Sequence, residues 1–322
     1  MKLVIVGVGG MGGVHFNIHK KATDYEFAAA CDIRMDMLKE KAGELPIRLY
    51  ADYAEMLAAE KPDVVDICTP TYLHAPMAIQ AMESGAHVLS EKPMALNSGE
   101  CEAILDCVRR TGRHYMTAHV VRFMNAYKYL RGTIESGRYG RLESLSMQRF
   151  SGTPIWSWDN WFQDKARSGH VALDMMIHDV DFVQSVLGMP KAINGVYREM
   201  KGNISNYGFV SYIYDDCAVS IETGWYTERI PFEASYKAVF EKGWLRLDKG
   251  GLVDCGNAVD FKNVQTIGET GINISNVDGY ASEIAYFIDC VRAEKEPALA
   301  TPASAAATIT LVERTLDALT RV

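Results

Sequence analysis

The amino-acid sequence predicts an α/β protein with an N-terminal doubly wound parallel sheet and a C-terminal α+β domain holding a large open, mostly antiparallel sheet. Short apolar runs alternate with helix-length segments up to about residue 118, which is typical of parallel strands joined by right-handed crossovers. Beyond that point, successive β segments are followed by two helical segments, a pattern that favours an antiparallel-rich domain. We therefore expect two domains, residues 1–120 and 121–322, with the C-terminal helices as candidates for packing back on the first.

The composition narrows the class of protein. The chain has 322 residues, of which 48% are hydrophobic, and a net charge of −8. This acidic balance argues against nucleic acid or an anionic membrane as the main partner. The first residues read as a core strand rather than a signal peptide, and no apolar run approaches the roughly 20 residues of a membrane span. Seven scattered cysteines without a CxxC pair are typical of reduced thiols, so we expect a cytoplasmic enzyme.

A glycine-rich turn follows the first predicted strand. Lys2 to Val6 leads into Gly7-Val8-Gly9-Gly10-Met11-Gly12 and then a helix to about Lys21. The next apolar run, Phe27 to Cys31, ends at Asp32, 20 positions after the last glycine of the turn. Strand, glycine turn, helix, strand and acid at this spacing indicate a dinucleotide site. The alternative is a glycine-rich turn without a ligand.

Each part of this motif has a physical reason. Gly7 lets the backbone turn tightly off the strand, and Gly9 lets a pyrophosphate approach the main chain. Gly12 lets helix and strand pack closely. The free N–H groups at the helix start would face the phosphates, and Asp32 would accept hydrogen bonds from a ribose hydroxyl.

The rest of the first domain continues the alternation. In order, we expect a helix at 35–42, a strand at 48–50, a helix at 53–60, a strand at 64–68, a helix at 75–84, a strand at 87–90, a helix at 98–110 and a strand at 114–118. Ligands bind beyond the carboxyl ends of parallel strands. The residues expected at those ends are Gly7, Asp32, Thr69, Glu91, Lys92 and His119.

The second domain begins with a predicted helix, 125–136, and a strand, 142–149. Residues 151–169 carry Trp156, Trp158 and Trp161 and read as an irregular loop over a site. A helix at 169–187 follows, then strands at 193–200, 206–214, 217–226, 232–241 and 243–247, and helices at 281–294 and 304–319. Asp215-Asp216 and Lys242-Gly243 predict hairpins. One sheet face should pack on helices, and the other is expected to be broad and apolar enough to form a subunit interface.

Lys92 is the first candidate for chemistry. A lysine at a strand end beside a nicotinamide can hold a substrate hydroxyl or carbonyl oxygen. Pro93 restricts Lys92 to extended backbone angles. The alternative is an exposed surface lysine.

Asp174 and His178 form the second candidate. They stand four positions apart on a predicted helix and share a face, and a carboxylate beside an imidazole fixes its tautomer and raises its basicity. Asp181 falls on the same side. One alternative is a structural Asp–His hydrogen bond. Another is a metal site formed by His170, Asp174 and His178. The metal site is disfavoured, because an acid one turn from a histidine is more often the partner that orients its ring. Since alcohol oxidation needs one base and one cation at the oxygen, His178 and Lys92 are a sufficient set, provided that both reach one nicotinamide.

These residues together resemble the Gfo/Idh/MocA family (glucose-fructose oxidoreductase, inositol dehydrogenase, rhizopine catabolism) over essentially the whole chain. The carriers are GVGGMG at 7–12, Asp32, the run from Cys68 to Ala95 with Glu91-Lys92-Pro93, Arg122-Phe123, and Asp174 through His178. Ser168-Gly169-His170, Thr71 and Asn125 depart from the family pattern, which bears on the substrate more than on the cofactor.

The resemblance implies a Rossmann domain and a second domain whose open sheet mediates a homodimer or homotetramer. It implies a catalytic set of Lys92, Asp174 and His178. The residues implied or predicted at the cofactor are Gly7, Gly9, Gly10, Met11, Gly12, Asp32, Arg34, Thr69, Pro70, His74, Glu91 and Lys92, and those at the substrate are His119, Arg122 and Trp161. No metal is expected.

The cofactor and reaction follow from these residues. Asp32 would repel a 2′-phosphate, which favours NAD, whereas Arg34 could pair with one, so NADP is the alternative. We expect a dehydrogenase that acts on a secondary hydroxyl of a sugar, sugar acid or cyclic polyol. The alternatives are an NAD-retaining glycosidase of the same family and a non-catalytic cofactor- or sugar-sensing protein.

Overall fold

A computed structural model describes residues 1–199, 205–227, 230–261 and 277–322. The chain divides into two compact units. The first comprises Met1–His119 and Tyr280–Ala306, and the second comprises Val120–Gly279 and Ala307–Val322. Within the described ranges, no helix combines the length and the apolar character needed to cross a membrane.

The first unit contains a six-stranded sheet in which every neighbouring pair is parallel. Its strands are β1 (Lys2–Val6), β2 (Glu26–Cys31), β3 (Arg48–Tyr50), β4 (Val64–Ile67), β5 (His87–Glu91) and β6 (Tyr115–Ala118). The strand order β3-β2-β1-β4-β5-β6 reverses between β1 and β4, and such a switch point opens a crevice at the carboxyl ends of these strands.

Helices connect these strands at the predicted places. They are α1 (Gly10–His19), α2 (Met35–Ala42), α3 (Tyr53–Glu60), α4 (His74–Glu83) and α5 (Ser98–Thr111), and α9 (Val277–Arg292) lies almost entirely in the same unit. Side chains of Asp52 and Asn97 cap α3 and α5 by accepting backbone N–H groups, and Gly112 closes α5 in the left-handed conformation, as capping rules lead one to expect. All four residues of β4 are buried, because helices cover both faces of a parallel sheet.

The second unit contains a nine-stranded sheet. Its strands are β7 (Leu142–Gly152), β8 (Ala192–Arg198), β9 (Asn206–Ile213), β10 (Ala218–Tyr226), β11 (Glu233–Phe240), β12 (Gly243–Asp248), β13 (Gly251–Asp254), β14 (Asn257–Ala258) and β15 (Thr320–Arg321). The order is β14-β13-β12-β11-β7-β10-β9-β8-β15. Among these described strands, β7–β10 and β8–β15 pair in parallel and the other neighbours are antiparallel. The predicted fold class is therefore confirmed.

Both predicted hairpins of this sheet are confirmed, since β9 pairs with β10 and β11 with β12 in antiparallel register. The sequence reading missed β13, β14 and β15. It placed the end of one strand at Met200, which lies outside the described residues.

The helices of the second unit are α6 (Asn125–Ser136), α7 (Lys165–Ser168), α8 (Ile177–Leu187) and most of α10 (Pro302–Ala318). The sequence predicted one continuous helix at 169–187. Instead, Ala172–Met176 forms a π-helical turn directly before α8, and such turns are frequent at functional sites.

The outer face of the nine-stranded sheet carries both apolar and polar side chains. Phe209 and Ile213 on β9 are exposed. Phe209 packs against Tyr207 and is paired with Val196 of β8 and Glu222 of β10. Strands β10 and β7 contribute Ala218, Ser220, Glu222, Ser144, Ser146 and Gln148 to this face. The inner face is buried, with Val210, Tyr212, Val219 and Ile221 among its members.

The turn between β1 and α1 depends on two glycines. Gly7 has a φ of +81°, and a Cβ built on it would lie 2.7 Å from the Cys68 carbonyl oxygen. A Cβ on Gly12 would lie 1.8 Å from the Gly7 carbonyl oxygen. Only glycine at both positions lets α1 lie this close to β1.

We expect Gly12→Ala to lower the free energy of unfolding by about 2 kcal/mol or more, because its methyl group would overlap backbone that has no room to move. Urea unfolding measures this loss. Gly13→Ala is the matched control, since its Cβ would meet only the flexible end of Lys41, at 2.9 Å. Equal stability of the two variants would contradict the packing argument.

Candidate active site

The start of α1 has the form of a phosphate cradle. The helix begins at Gly10, directly after Gly9, whose lack of a side chain leaves the first N–H groups without a side-chain cap. Gly10 and Met11 supply the first turn. The exposed N–H groups and the helix dipole favour an anion at this point, so the turn fits the pyrophosphate of a dinucleotide.

Asp32 lies just beyond β2 and is 5% exposed. Its Oδ2 accepts the Val8 N–H at 2.9 Å, and its Oδ1 accepts the Arg34 N–H at 2.9 Å. The Arg34 guanidinium donates to both oxygens at 3.1 Å. Burial opposes ionisation, but the hydrogen bonds from Arg34 and then from Val8 outweigh it and lower the pKa of Asp32. An ionised carboxylate therefore stands where a ribose diol would be recognised.

The segment after β4 carries Thr69 and Pro70. The Thr69 hydroxyl is buried and lacks a hydrogen-bond partner among the residues that the structure describes. A buried polar atom without a partner costs free energy, so this hydroxyl fits a hydrogen bond to a ligand in the crevice.

His74 joins two segments at the crevice. Its Nδ1 lies 2.7 Å from the Pro93 carbonyl oxygen and its Nε2 lies 2.8 Å from the Thr69 carbonyl oxygen. The ring is 1% exposed, and burial lowers the pKa of His74. A neutral ring carries one N–H group and donates to one of these two oxygens, so His74 lies between the chain after β4 and the chain after β5.

Glu91 and Lys92 stand at the carboxyl end of β5. Lys92 is half-buried and precedes a cis peptide bond to Pro93. The backbone N–H of Lys92 donates to Glu91 Oε2 at 3.0 Å, and the Glu91 residue is 6% exposed. His119 follows β6 and is buried.

A buried polar cluster lies on α1 and β4, and sequence reasoning missed it. Asp66 Oδ2 is 2.8 Å from His15 Nδ1 and 2.7 Å from His19 Nε2. His19 Nδ1 is 2.6 Å from the Tyr25 hydroxyl, and His15 Nε2 is 3.2 Å from Glu91 Oε1. The sequence did contain a feature that could have predicted this cluster. His15 and His19 stand four positions apart on one helix, and Asp66 lies inside an apolar strand. Such polar residues are unusual in a core.

Asp66 governs the charge of this cluster. Burial lowers the pKa of His15, but the Asp66 carboxylate outweighs it, so that the pKa of His15 is raised well above its usual value. Burial opposes ionisation of Asp66, yet His15 and His19 lower the pKa of Asp66. Burial dominates at His19 and lowers the pKa of His19. The cluster thus holds an ion pair, His15 with Asp66, and a neutral imidazole.

The ligand atoms of His15, His19 and Asp66 lie within 4.8 Å of one another, which would suit a metal ion. Both imidazoles, however, stand at hydrogen-bond distance from the same carboxylate oxygen. A metal needs the nitrogen lone pairs, whereas this geometry uses N–H groups. We therefore interpret the cluster as hydrogen-bonded.

Glu283 on α9 is a further buried acidic residue near the cluster of His15, His19 and Asp66. It is fully buried, and neither carboxylate oxygen has a hydrogen-bond partner among the described residues. Burial, and then the negative charge of Glu91, raise the pKa of Glu283 well above its usual value. A carboxyl group in this setting is neutral near pH 7.

In the second unit, Asp174 lies in the π-helical turn and His178 in the first turn of α8. Both are half-buried, whereas their neighbours from Val171 to Val183 are buried. The two side chains therefore share the accessible face of this helical stretch. His170 Nε2 instead lies 3.2 Å from the Gln163 carbonyl oxygen.

Arg122 has a buried partner. Its guanidinium is bidentate to Asp181, with Nε–Oδ2 at 2.8 Å and Nη2–Oδ1 at 2.6 Å, and the Thr308 hydroxyl also donates to Asp181. Asp179 holds Arg149 in the same way. The acid that the sequence placed beside His178 thus binds Arg122, whose predicted role in substrate binding stays a prediction.

Trp161 lies in the segment 151–169 and stacks on Phe162, with ring centroids 3.9 Å apart. Phe162 in turn contacts Trp156 and Trp225 edge-on. Trp156 remains 59% exposed. The segment thus carries an aromatic cluster with an accessible apolar surface.

Comparison with known proteins agrees with this geometry. Residues 1–119 match the family model described as an oxidoreductase family with an NAD-binding Rossmann fold. Residues 127–246 match the one described as the GFO/IDH/MocA C-terminal domain.

Three similar proteins illustrate the likeness. A D-glucoside 3-dehydrogenase of Escherichia coli is 28% identical over 200 residues, 60% of this chain and 56% of that protein. A myo-inositol 2-dehydrogenase of Thermotoga maritima is 27% identical over 190 residues, 58% and 55% of the two chains. The alignments thus span little more than half the length of these curated relatives. The crystal structure of myo-inositol 2-dehydrogenase from Lactobacillus plantarum shares the fold, with a TM-score of 0.81, 19% identity and coverage of 99% and 96%.

The raised pKa of Glu283 predicts a dependence of stability on pH. Its neutral form contributes fully below the pKa of an unfolded glutamate, and this contribution is lost as the pH rises towards the folded pKa. We expect the free energy of unfolding to fall as the pH rises above about 5, by at most about 1.4 kcal/mol per pH unit for this proton. In Glu283→Gln the fall should be shallower.

Urea unfolding across this pH range measures both slopes. The exposed Glu102 provides the control, because Glu102→Gln should keep the wild-type slope. An unchanged slope in Glu283→Gln would show that the buried carboxyl is not the titrating group.

Proposed function

Because the chain belongs to the Gfo/Idh/MocA family of oxidoreductases, we propose that it is an NAD-dependent dehydrogenase acting on a secondary hydroxyl of a sugar, sugar acid or cyclic polyol. The observation that carries this proposal is the set of groups at the carboxyl ends of the parallel strands in the first unit. The uncapped start of α1, the ionised Asp32 and the Glu91–Lys92 pair all belong to one sheet edge. Names of relatives that act on a glucoside and on inositol support the substrate class.

The proposed roles follow from the chemistry of each group. Bound NAD would supply the hydride acceptor. Lys92 holds the substrate oxygen through its ammonium group, which stabilises negative charge as the carbonyl forms. His178 takes the hydroxyl proton, and Asp174 orients its ring. His119, Arg122 and Trp161 are proposed to contact or shape the substrate site.

NAD is the proposed cofactor rather than NADP. Asp32 is ionised and would repel a 2′-phosphate. The Arg34 guanidinium, the one group in the motif that could pair with such a phosphate, donates to Asp32 instead. Gly7, Gly9, Gly10, Met11 and Gly12 form the proposed pyrophosphate cradle, and Thr69, Pro70 and His74 the proposed wall beside it.

We also propose that the outer face of the nine-stranded sheet joins copies of this chain into a homodimer or homotetramer. Its central rows include the small side chains of Ser144, Ser146, Ala218 and Ser220, so two such faces could approach closely there. The exposed Phe209 and Ile213 would add apolar area at the contact.

A substrate panel tests the dehydrogenase proposal. Inositols, methyl glucosides and sugar acids are mixed with NAD or NADP, and reduction is followed by absorbance. We expect NAD reduction by at least one substrate and weaker use of NADP. Reduction of neither cofactor by any member would contradict the proposal, and release of free sugar from a glycoside without net NADH would favour an NAD-retaining glycosidase.

Lys92→Met should lower kcat by about 100- to 1,000-fold, because it removes the cation at the reacting oxygen. The dissociation constant for NAD, measured by calorimetry, should change by no more than about twofold. Lys20→Met, at an exposed position of the same unit, is the control and should turn over normally. Wild-type kcat in Lys92→Met would refute the assigned role.

For the assembly, we expect light scattering to show more than one copy for the wild type and a shift towards the monomer for Phe209→Glu, since a buried charge weakens an apolar contact. Leu299→Glu places the same charge on an exposed apolar residue of the other unit and should leave the mass unchanged. A monomeric wild type would exclude the sheet interface.

A further inference from the structure

Glu91 and Lys92 are connected to a buried histidine on α1. We propose that His15 is a positioning residue for Lys92 and that it acts through the Glu91 carboxylate. The inference rests on the proposed role of Lys92 in hydride transfer. It adds a residue outside the crevice to the groups on which that role depends.

The connection runs through three contacts on three elements. Asp66 Oδ2 on β4 is 2.8 Å from His15 Nδ1, and His15 Nε2 is 3.2 Å from Glu91 Oε1. The other Glu91 oxygen, Oε2, accepts the Lys92 N–H at 3.0 Å. His15 therefore lies between two carboxylates, one of which holds the backbone of the lysine.

The charge of His15 follows from this placement. His15 Nδ1 is hydrogen-bonded to Asp66 Oδ2. Nε2 lies at ion-pair distance from Glu91 Oε1, although it makes no hydrogen bond of normal geometry to the described residues. A doubly protonated ring thus places a positive charge between two carboxylates. A neutral ring would turn a lone pair towards one buried carboxylate, which is unfavourable at low dielectric. The ring is fully buried, and the raised pKa of His15 agrees with the charged form.

The surroundings of His15 support this assignment. The titratable groups around it are Asp66 from β4, Cys68 directly after β4, Glu91 from β5, His19 on α1, and Tyr280 and Glu283 from α9. The Cys68 thiol donates to Asp66 Oδ1 at 3.5 Å, and burial raises the pKa of Cys68, so this thiol stays neutral. Burial raises the pKa of Glu283 as well, and the carboxylates nearest the imidazolium are those of Asp66 and Glu91.

Loss of the imidazolium should release Glu91. A buried carboxylate without its cation takes up a proton or turns towards water. Either change weakens the acceptor for the Lys92 N–H and loosens the backbone that carries the ammonium group. Cofactor binding at the glycine turn should remain, since His15 faces the sheet interior.

The first test uses protein labelled with ¹⁵N-lysine, in which Lys92→Arg assigns the Lys92 amide. In His15→Gln we expect hydrogen exchange of this amide to quicken by about tenfold or more. We also expect kcat to fall by about 10- to 100-fold, while the dissociation constant for NAD stays unchanged. Unchanged exchange and unchanged kcat would overturn the proposal.

His19→Gln is the matched control. His19 stands one turn further along α1, is as buried as His15 and binds the same Asp66 oxygen. Both of its ring nitrogens are occupied, by Asp66 and Tyr25. His19→Gln also loses a buried hydrogen bond to Asp66, but hydrogen exchange of the Lys92 amide should stay slow. Equally faster exchange of this amide in both variants would overturn the proposal.

A double-mutant cycle locates the effect. Glu91→Ala removes the acceptor directly and should lower kcat as His15→Gln does. The double variant should lose little more than either single variant, because both act on one link. Additive losses would contradict a route through Glu91.

Two readouts do not depend on turnover. In wild-type protein labelled with ¹⁵N-histidine, both His15 nitrogens should carry protons at neutral pH, and a neutral ring would overturn the proposal even if His15→Gln does not fold. The Lys92 amide exchange likewise tests the link if no polyol is oxidised. An inactive wild type would therefore refute the dehydrogenase proposal, whereas normal Lys92 exchange in His15→Gln would refute the positioning role.

Discussion

The close approach of α1 to β1 is the constraint on which the rest of the first unit depends. Because Gly12 has no Cβ, the helix can lie against the Gly7 carbonyl, so its N-terminal N–H groups stand at the end of β1. The same approach brings the next turns of α1 over β4, where His15 and His19 meet Asp66. One glycine thus places both the phosphate cradle and the buried cluster beneath it, and a larger residue would disturb both together.

In the second unit, buried ion pairs fix the position of a helix. Asp179 and Asp181, both fully buried on α8, bind Arg149 of β7 and Arg122. Buried carboxylates are costly unless they are paired, and here the two pairs fix the helix against its surroundings. The π-helical turn just before α8 then presents Asp174 on the same accessible face as His178. The half-buried polar face of Asp174 and His178 therefore lies on a helical stretch that two buried ion pairs hold in place.

Local signals accounted for most of the fold and for the glycine turn. Strand and helix periodicity and the Asp215-Asp216 turn are encoded within a few residues. The pairing of His15 with Asp66 spans 51 positions and that of Arg122 with Asp181 spans 59, so neither follows from spacing. The two-residue strand β15 and the π-helical turn depend on packing rather than on propensity. Predicted roles for individual site residues remain predictions, since they depend on ligands and not on the chain alone.

The His74 ring has a consequence for anyone who wishes to redesign this crevice. It lies within hydrogen-bond distance of the Thr69 carbonyl oxygen after β4 and of the Pro93 carbonyl oxygen after β5. A neutral ring donates to one of the two at a time. A loop grafted at either strand end would therefore have to fit around the same ring as the other loop, and the two loops should be redesigned together.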